Sequence, residues 1–271
     1  MKVVLFCGGQ GLRIREAGEN IPKPMVPIGY RPIIWHLMRY YAHYGHRDFV
    51  LCLGHRGDAI KRYFLDYDEC ISNDFVLSGG GKSVKLLSSD TDNWTITFVD
   101  TGTEANIGQR LRAVRKHLEG EEMFLANYAD NLSDVPLDRV IEHAREADKL
   151  ASFVSVRPSQ SFHVVRTAPG TSDVVDIEPV TKADVWMNGG FFALKPQVFD
   201  YLNEGEELVV ECFQRLIGMN QLTTYQHDGF WHAMDTFKEK MALEDLYSRG
   251  KAPWEVWRGD RAKPALTPVR A

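Results

Sequence analysis

VVLFCGGQGLRIREAGENIPKPM, residues 3–25, is the stretch whose reading decides the fold. Its opening run, Val3-Val4-Leu5-Phe6-Cys7, is apolar, rich in β-branched and aromatic residues, and short. It predicts a buried strand, the first of a parallel sheet. Gly8, Gly9 and Gly11 follow at once. Lacking a Cβ, they tolerate positive φ and let the backbone come close to a ligand. Successive N–H groups in such a turn form a concavity that suits phosphates. Arg13 and Arg15 add positive charge, and the planar fork of Arg13 matches phosphate oxygens. Pro22-Lys23-Pro24 then holds a lysine between two prolines, each fixing its own φ and pushing the preceding residue towards extended backbone. A lysine presented so rigidly loses little entropy when it docks on a charge. Two familiar phosphate loops are excluded by spacing. A Walker A loop needs Gly-Lys-Ser/Thr where Gly11 is followed by Leu12-Arg13, and the dinucleotide fingerprint needs a third glycine where Ile14 stands. A phosphate-binding turn of another type or a plain turn remains, and Lys23 favours the first.

Outward from this stretch, Ile33, Ile34, Leu37, Met38 and Tyr41 recur at helical spacing over 32–44, with Pro32 suited to a first turn. Residues 49–53 predict a second buried strand and 59–67 a second helix, the rhythm of a doubly wound parallel sheet. An irregular excursion is predicted over 68–82, strands at a sheet edge over 84–87 and 95–99, and a third helix over 108–118. Residues 123–126 predict a short strand with Asn127-Tyr128-Ala129-Asp130 at its end. Ligands of open α/β sheets gather at the carboxyl ends of strands, which places Asp130 for chemistry. An aspartate after a strand also caps helices, and Asp134 can fill that role for the helix predicted over Leu137–Ala147. From 151 to 195 the texture turns β-rich, which predicts an insertion covering the site. A helix over 209–217, a strand over 222–226 and a helix over 237–249 return to one domain spanning 1–271. Either Asp235 or Thr236 can cap the last helix.

Composition narrows the class. The chain has 271 residues, 44% hydrophobic and 25% charged, ordinary for a globular protein with a substantial core. A formal net charge of −5 argues against general nucleic-acid binding. No run approaches the roughly 18 consecutive apolar residues of a membrane span. The first residues run straight into a strand without a basic-then-apolar leader, so a cytoplasmic protein is expected. The four cysteines (Cys7, Cys52, Cys70, Cys212) show no CxxC spacing and predict reduced thiols. His36, His43 and His46 share a helical stretch with Trp35, Tyr40, Tyr41 and Tyr44, which predicts packing rather than metal ligation.

GGQGLR followed by PKPM resembles the GGxGTR…PKPM signature of sugar-1-phosphate nucleotidylyltransferases. Within that family, five later stretches are most similar to the glucose-1-phosphate cytidylyltransferase branch: Arg31-Pro32-Ile33-Ile34-Trp35-His36, Phe98-Val99-Asp100-Thr101-Gly102, Asn188-Gly189-Gly190-Phe191-Phe192, Gln226-His227-Asp228-Gly229-Phe230-Trp231 and Lys251-Ala252-Pro253-Trp254. The matches run from residue 3 to about 257.

The resemblance implies a Rossmann-like, mostly parallel sheet flanked by helices, with a small β-rich sugar-binding insertion at 151–195. It implies transfer of a nucleotidyl group from CTP to a sugar 1-phosphate, with release of pyrophosphate. Gly8, Gly9, Gly11 and Arg13 would hold the triphosphate, and Lys23 the reacting phosphates. Asp130, in YADN where the family has YGDG, and Asp235 would hold Mg²⁺. Gly108, Gln109 and Arg110 lie where cytidylyltransferases read the base, although Arg110, Arg112 and Arg115 also make a solvated basic face. Tyr128, Glu178, Lys182, Asn188 and Gly189 are the sugar candidates. A homo-oligomer is expected, with Trp254 and Trp257 packing or contacting a second subunit; nucleic acid and membrane are not expected partners.

Three departures bear on activity. Leu12 replaces the threonine of GTR, Asn131 the second glycine of YGDG, and Asp176-Ile177-Glu178-Pro179-Val180 lacks the lysine of the family's Glu-Lys-Pro. An active enzyme and a catalytically weak, nucleotide-binding regulatory homologue both remain open. Arg13, Lys23, Asp130 and Asp235 favour the enzyme, since a mere binder has less need of both acids. An anionic sugar phosphate in a partly dry site needs a cation. Either Lys182 supplies it from a shifted turn, or the acceptor needs less charge there. A shift of several residues in a β-rich segment rarely preserves side-chain direction, which favours the second. Lys182→Ala is then expected to change turnover little, and glucose 1-phosphate to react poorly. Steady-state assays across a sugar-phosphate panel check this; a good glucose 1-phosphate activity abolished by Lys182→Ala assigns the role to Lys182.

Overall fold

The computed structural model describes residues 1–9, 21–91, 93–158 and 162–261. Gly11, Arg13 and Arg15 lie outside the described residues. In chain order the elements are β1 (Lys2–Phe6), β2 (Pro27–Ile28), β3 (Arg31–Pro32), α1 (Ile33–His43), β4 (Asp48–Leu53), α2 (Gly57–Leu65), α3 (Glu69–Ser72), β5 (Phe75–Ser78), β6 (Ser83–Leu86), β7 (Thr95–Asp100), α4 (Ile107–Ala113), β8 (Phe124–Tyr128), β9 (Asn131–Ser133), α5 (Leu137–Ala147), β10 (Ala151–Val156), β11 (His163–Thr167), β12 (Val174–Pro179), β13 (Met187–Leu194), α6 (Phe213–Gly218), β14 (Leu222–His227), β15 (Trp231–Ala233) and α7 (Phe237–Ser248).

Seven strands form the central sheet in the order β14-β10-β13-β8-β1-β4-β7. All run parallel except β13, which is antiparallel to both neighbours. β1 shows why its sequence is a continuous apolar run. Val3, Leu5 and Cys7 face the layer containing α1 and α5, while Val4 and Phe6 face the layer containing α4 and α6. A strand covered on both sides cannot alternate apolar with polar. α1 starts where expected, with Pro32 as its N-cap.

Four expectations are corrected. The stretch 151–195 is not one insertion: β10 and β13 are central strands, and only the β11–β12 ribbon stands apart. Buried residues along β10 and β13 tie them to the core, whereas Val165, Val175 and Ile177 of the ribbon are exposed. The edge strand predicted over 84–87 is instead β6, paired with β5 in a separate hairpin, while β7 takes the sheet edge. The helix predicted over 108–118 ends as α4 at Ala113 and continues only as a 3₁₀ turn. Asp134 does not cap α5, whose N-cap is Pro136 with no side-chain bond. Among the described residues no helix is long and apolar enough to cross a membrane. All four cysteines are free thiols, with Cys7, Cys52 and Cys212 buried.

The turns over 254–261 close over α1. Trp254 is fully buried and its Nε1–H donates to His36 Nδ1 (3.3 Å), while His36 Nε2 faces Ile28 O (3.1 Å). The neutral imidazole with its proton on Nε2 satisfies both contacts; a second proton on Nδ1 would meet the indole N–H. Burial, helped by the Arg31 and Arg258 charges, brings the His36 pKa from 6.5 down to about 4. The unfolded chain therefore takes up the proton first as pH falls. Stability is complete above about pH 6.5 and declines towards pH 4, by on the order of 3 kcal/mol from this group. His36→Gln is expected to flatten that part of the stability–pH curve, measured as Tm at steps from pH 7 to pH 4.5. An unchanged slope would assign the acid sensitivity elsewhere.

Candidate active site

The carboxyl ends of β1, β4, β7 and β8 meet at one edge of the sheet. Cys7 N–H still donates to Cys52 O (2.9 Å), so pairing continues one residue past β1 before the chain reaches buried Gly8 and exposed Gly9. Arg110 lies beneath this turn. Its guanidinium donates to Leu53 O (3.2 Å), Thr101 Oγ1 (2.8 Å), Gly8 O (3.0 Å) and Thr103 O (3.3 Å). A Cβ on Gly8 would fall 1.9 Å from Arg110 Nη1, so only glycine leaves room for the fork.

These contacts give the residues expected to read the base a scaffold role as well. Arg110 is only 3% exposed, so it is no solvated face, and its donors are committed to the scaffold. Burial holds its pKa below the ordinary guanidinium value. Gln109 is half of a capping box with Asn106, accepting from Asn106 N–H (2.9 Å) while Asn106 Oδ1 accepts from Gln109 N–H (2.8 Å). Gly108 is buried, and a Cβ there would fall 2.1 Å from Glu206 O. Gly108 and Arg110 are thus held by packing, while Gln109 is exposed and caps α4.

Lys23, Asp130 and Asp235 do come together. Lys23 opens a 3₁₀ turn behind Pro22, and its Nζ donates to Asp130 Oδ2 (2.5 Å) and to Asp235 Oδ1. Burial pulls the ammonium pKa down, but Asp130 and then Asp235 outweigh it and leave it above its ordinary value. The acids reach one point because a short antiparallel ladder joins their segments. Asn131 pairs with Ala233, Leu132 with His232 and Ser133 with Trp231, and Met234 N–H donates to Asp130 O (2.8 Å). Asp130 and Asp235 therefore flank the same end of the ladder. Asp235 is spared from capping α7, because Thr236 and Glu239 form that capping box. Glu239 Oε2 also accepts from Asp235 N–H (2.8 Å), which fixes the backbone there.

The sugar candidates divide into two groups. Tyr128 ends β8, two residues before Asp130, and its hydroxyl meets Asn188 Nδ2 (3.4 Å). Burial pushes the Tyr128 phenol up to about 12. Asn188 Oδ1 accepts from Gly190 N–H (2.9 Å), and Gly189 O accepts from Trp231 Nε1–H (2.8 Å). Gly190 has φ +77°, and a Cβ there would fall 2.5 Å from the Tyr128 ring, so Tyr128 packs against a required glycine. Glu178 and Lys182 belong to the ribbon and the turn after it. Glu178 pairs with Arg166 (2.8 Å), and Lys182 is exposed.

The donor set fits a hard cation. Two carboxylates from distant parts of the chain converge on the position of one ammonium. No cluster of three or more His, Cys, Asp or Glu side chains suited to a metal occurs among the described residues. A divalent ion held here would complete its oxygen shell from phosphates or water, as Mg²⁺ does. Sequence reasoning missed the scaffold role of Arg110 and the contacts of Asp134, because both depend on partners far away in the chain.

The nucleotidyl transferase family matches residues 2–239. The chain is 34% identical over 259 residues to the probable glucose-1-phosphate cytidylyltransferase of Bacillus subtilis, covering 95% of this chain and 100% of that one. The same figures hold for the glucose-1-phosphate cytidylyltransferase of Salmonella typhimurium. Among solved structures, UDP-glucose pyrophosphorylase from Acinetobacter baumannii superposes with a TM-score of 0.67 at 17% identity, over 96% of this chain and 97% of that one. HddC from Yersinia pseudotuberculosis gives 0.65 at 17% identity, over 91% and 99%. These two likenesses concern the fold.

Proposed function

This chain belongs to the nucleotidyl transferase family, and from that premise we propose that it transfers CMP from CTP to a sugar 1-phosphate, releasing pyrophosphate. The observation that carries this is the convergence of Asp130 and Asp235 on the single ammonium of Lys23. Both reactants are anions, so catalysis consists of neutralising charge and holding the acceptor oxygen in line with the α-phosphate. The phosphate oxygen of the sugar phosphate forms the new bond to the α-phosphorus, and pyrophosphate leaves with the electrons of the broken one. The likeness to glucose-1-phosphate cytidylyltransferases puts glucose 1-phosphate at the head of the acceptor panel, while Pro179, in place of the family's lysine, leaves the acceptor phosphate without that cation.

Asp130 and Asp235 would hold Mg²⁺. When bound, that ion neutralises phosphate oxygens of both reactants. The backbone N–H groups of Gly8, Gly9 and Gly11, with Arg13, hold the triphosphate. Arg110 supports the turn from below, placing a buried positive charge under the phosphates without touching them. Lys23, held by its prolines beside the two acids, contacts the reacting phosphates. Tyr128, Asn188 and Gly189 bind the sugar, with Glu178 and Lys182 as outer contacts. The exposed apolar faces of the β5–β6 and β11–β12 ribbons support a homo-oligomer, because two-stranded ribbons are marginal in water without cover.

Asp130→Asn and Asp235→Asn are each expected to lower turnover at least ~100-fold while leaving the protein folded. Pyrophosphate release at stepped Mg²⁺ measures this, and wild-type turnover at low Mg²⁺ in either variant would reduce that aspartate to a structural residue.

CTP is expected to raise Tm more than ATP, GTP, UTP or dTTP. At 100 times its Kd a nucleotide adds about 2.7 kcal/mol, which a melting curve resolves. Equal shifts for all five would remove base selection, and a larger dTTP shift would make the chain a thymidylyltransferase. Absence of pyrophosphate release across nucleotide and sugar-phosphate panels would overturn the proposed reaction.

A further inference from the structure

Neither Asp130 nor Asp235 sets the spacing between them; the β9–β15 ladder does. That ladder has only three residue pairs, and a two-stranded ribbon so short has little stability of its own. Its register is nevertheless decisive. A slip of one residue would turn the side chains of one strand to the opposite face and separate the two carboxylates.

The end of the ladder remote from the acids is closed by Asp134. Asp134 Oδ1 accepts from Phe230 N–H (2.8 Å) and lies 2.8 Å from His227 Nε2. Asp134 N–H in turn donates to Phe230 O (3.2 Å), and Ser133 Oγ–H donates to the same carbonyl (2.6 Å). One carboxylate thus grips both the strand entering the ladder and the last residue of β14, itself fixed along the whole of β10. Trp231, in the ladder pair at this same end, anchors the ribbon to Gly189 O on β13. Gly229 confirms how closely the clamp is built: a Cβ there would fall 2.6 Å from His227 Nε2 and 2.7 Å from Asp134 Oδ1.

We propose that Asp134, together with His227, is a positioning residue for the acid pair: it locks β9 onto β15 in the one register that presents Asp130 and Asp235 to a single divalent cation. The inference rests on the reading of that pair as the metal-holding site. Asp134 touches neither acid, so its loss loosens the metal without removing a ligand.

Mn²⁺ binding to the free protein, followed by electron paramagnetic resonance, reads the site without turnover. The Mg²⁺ dependence of pyrophosphate release and the KM for CTP are measured alongside. A partner hydrogen-bonded directly to a metal ligand is commonly worth about 10–100-fold in affinity; Asp134 acts one step further out, so a weakening of about 10-fold, the low end of that range, is expected for Asp134→Ala and for Gly229→Ala, which wedges the clamp. The Mg²⁺ needed for half-maximal rate rises in parallel, while kcat at saturating Mg²⁺ and the CTP KM change little. Asp134→Asn keeps an oxygen for Phe230 N–H and is expected to recover most of the affinity. Should Asp134→Ala fail to fold, Gly229→Ala and His227→Gln address the same contacts. Folded variants that bind Mn²⁺ as wild type does overturn the positioning role, as does an equal fall in kcat with unchanged Mg²⁺ dependence. A wild-type chain that binds Mn²⁺ but releases no pyrophosphate overturns the proposed reaction alone, and the positioning role is then judged on the Mn²⁺ affinities.

Discussion

Two carboxylates facing one point repel each other, and Asp130 and Asp235 share their site only because a cation stands between them. At an effective dielectric of about 20, two unit charges ~4 Å apart interact by about 4 kcal/mol, so the sign of what lies between the acids decides whether the arrangement holds. In this structure the cation is the ammonium of Lys23. Its neighbours raise its proton affinity despite burial, so it stays charged at neutral pH. The prolines around Lys23, the β9–β15 ladder and the capping box that releases Asp235 all serve this one meeting.

A second buried charge organises the other half of the site. Among the described residues Arg110 donates to four neutral oxygens, drawn from the chain at or just beyond the ends of β1, β4 and β7. A charge taken out of water is costly unless hydrogen bonds replace its hydration; here they do so in part, and the remaining cost shows in the lowered Arg110 pKa. The fork acts as a staple across three adjacent strands, and Gly8 leaves the space it fills. The turn that would receive phosphates therefore rests on a fixed positive charge as well as on its own N–H groups. Glycine at position 8 thus has a packing reason of its own.

Local patterning made much of the fold legible. The run Val3–Cys7 is buried on both faces because it lies between two helical layers, which is the condition that removes polar alternation from a strand. The helices 33–43, 137–147 and 237–248 kept close to their expected limits because their apolar spacing and end signals are local properties. The same pattern misassigned 151–195. A strand-like run looks alike in a sheet centre and in a free ribbon, and only the partner strand separates β10 and β13 from β11 and β12.

What the sequence by itself determined is the alternation of strands and helices, the glycines directly after β1, Lys23 held between two prolines and the two aspartates at the ends of strands. Each follows from residue type, local spacing or a resemblance of motifs, and needs no knowledge of distant contacts. Tertiary structure alone decided that Lys23 reaches both acids, that Arg110 turns inward to staple three strands, and that Asp134 clamps the ladder instead of capping α5. Long-range pairing is the physical reason. An aspartate after a strand has the same local surroundings whether it caps, clamps or holds a cation, and its role is set by whichever donor the fold brings within about 3 Å.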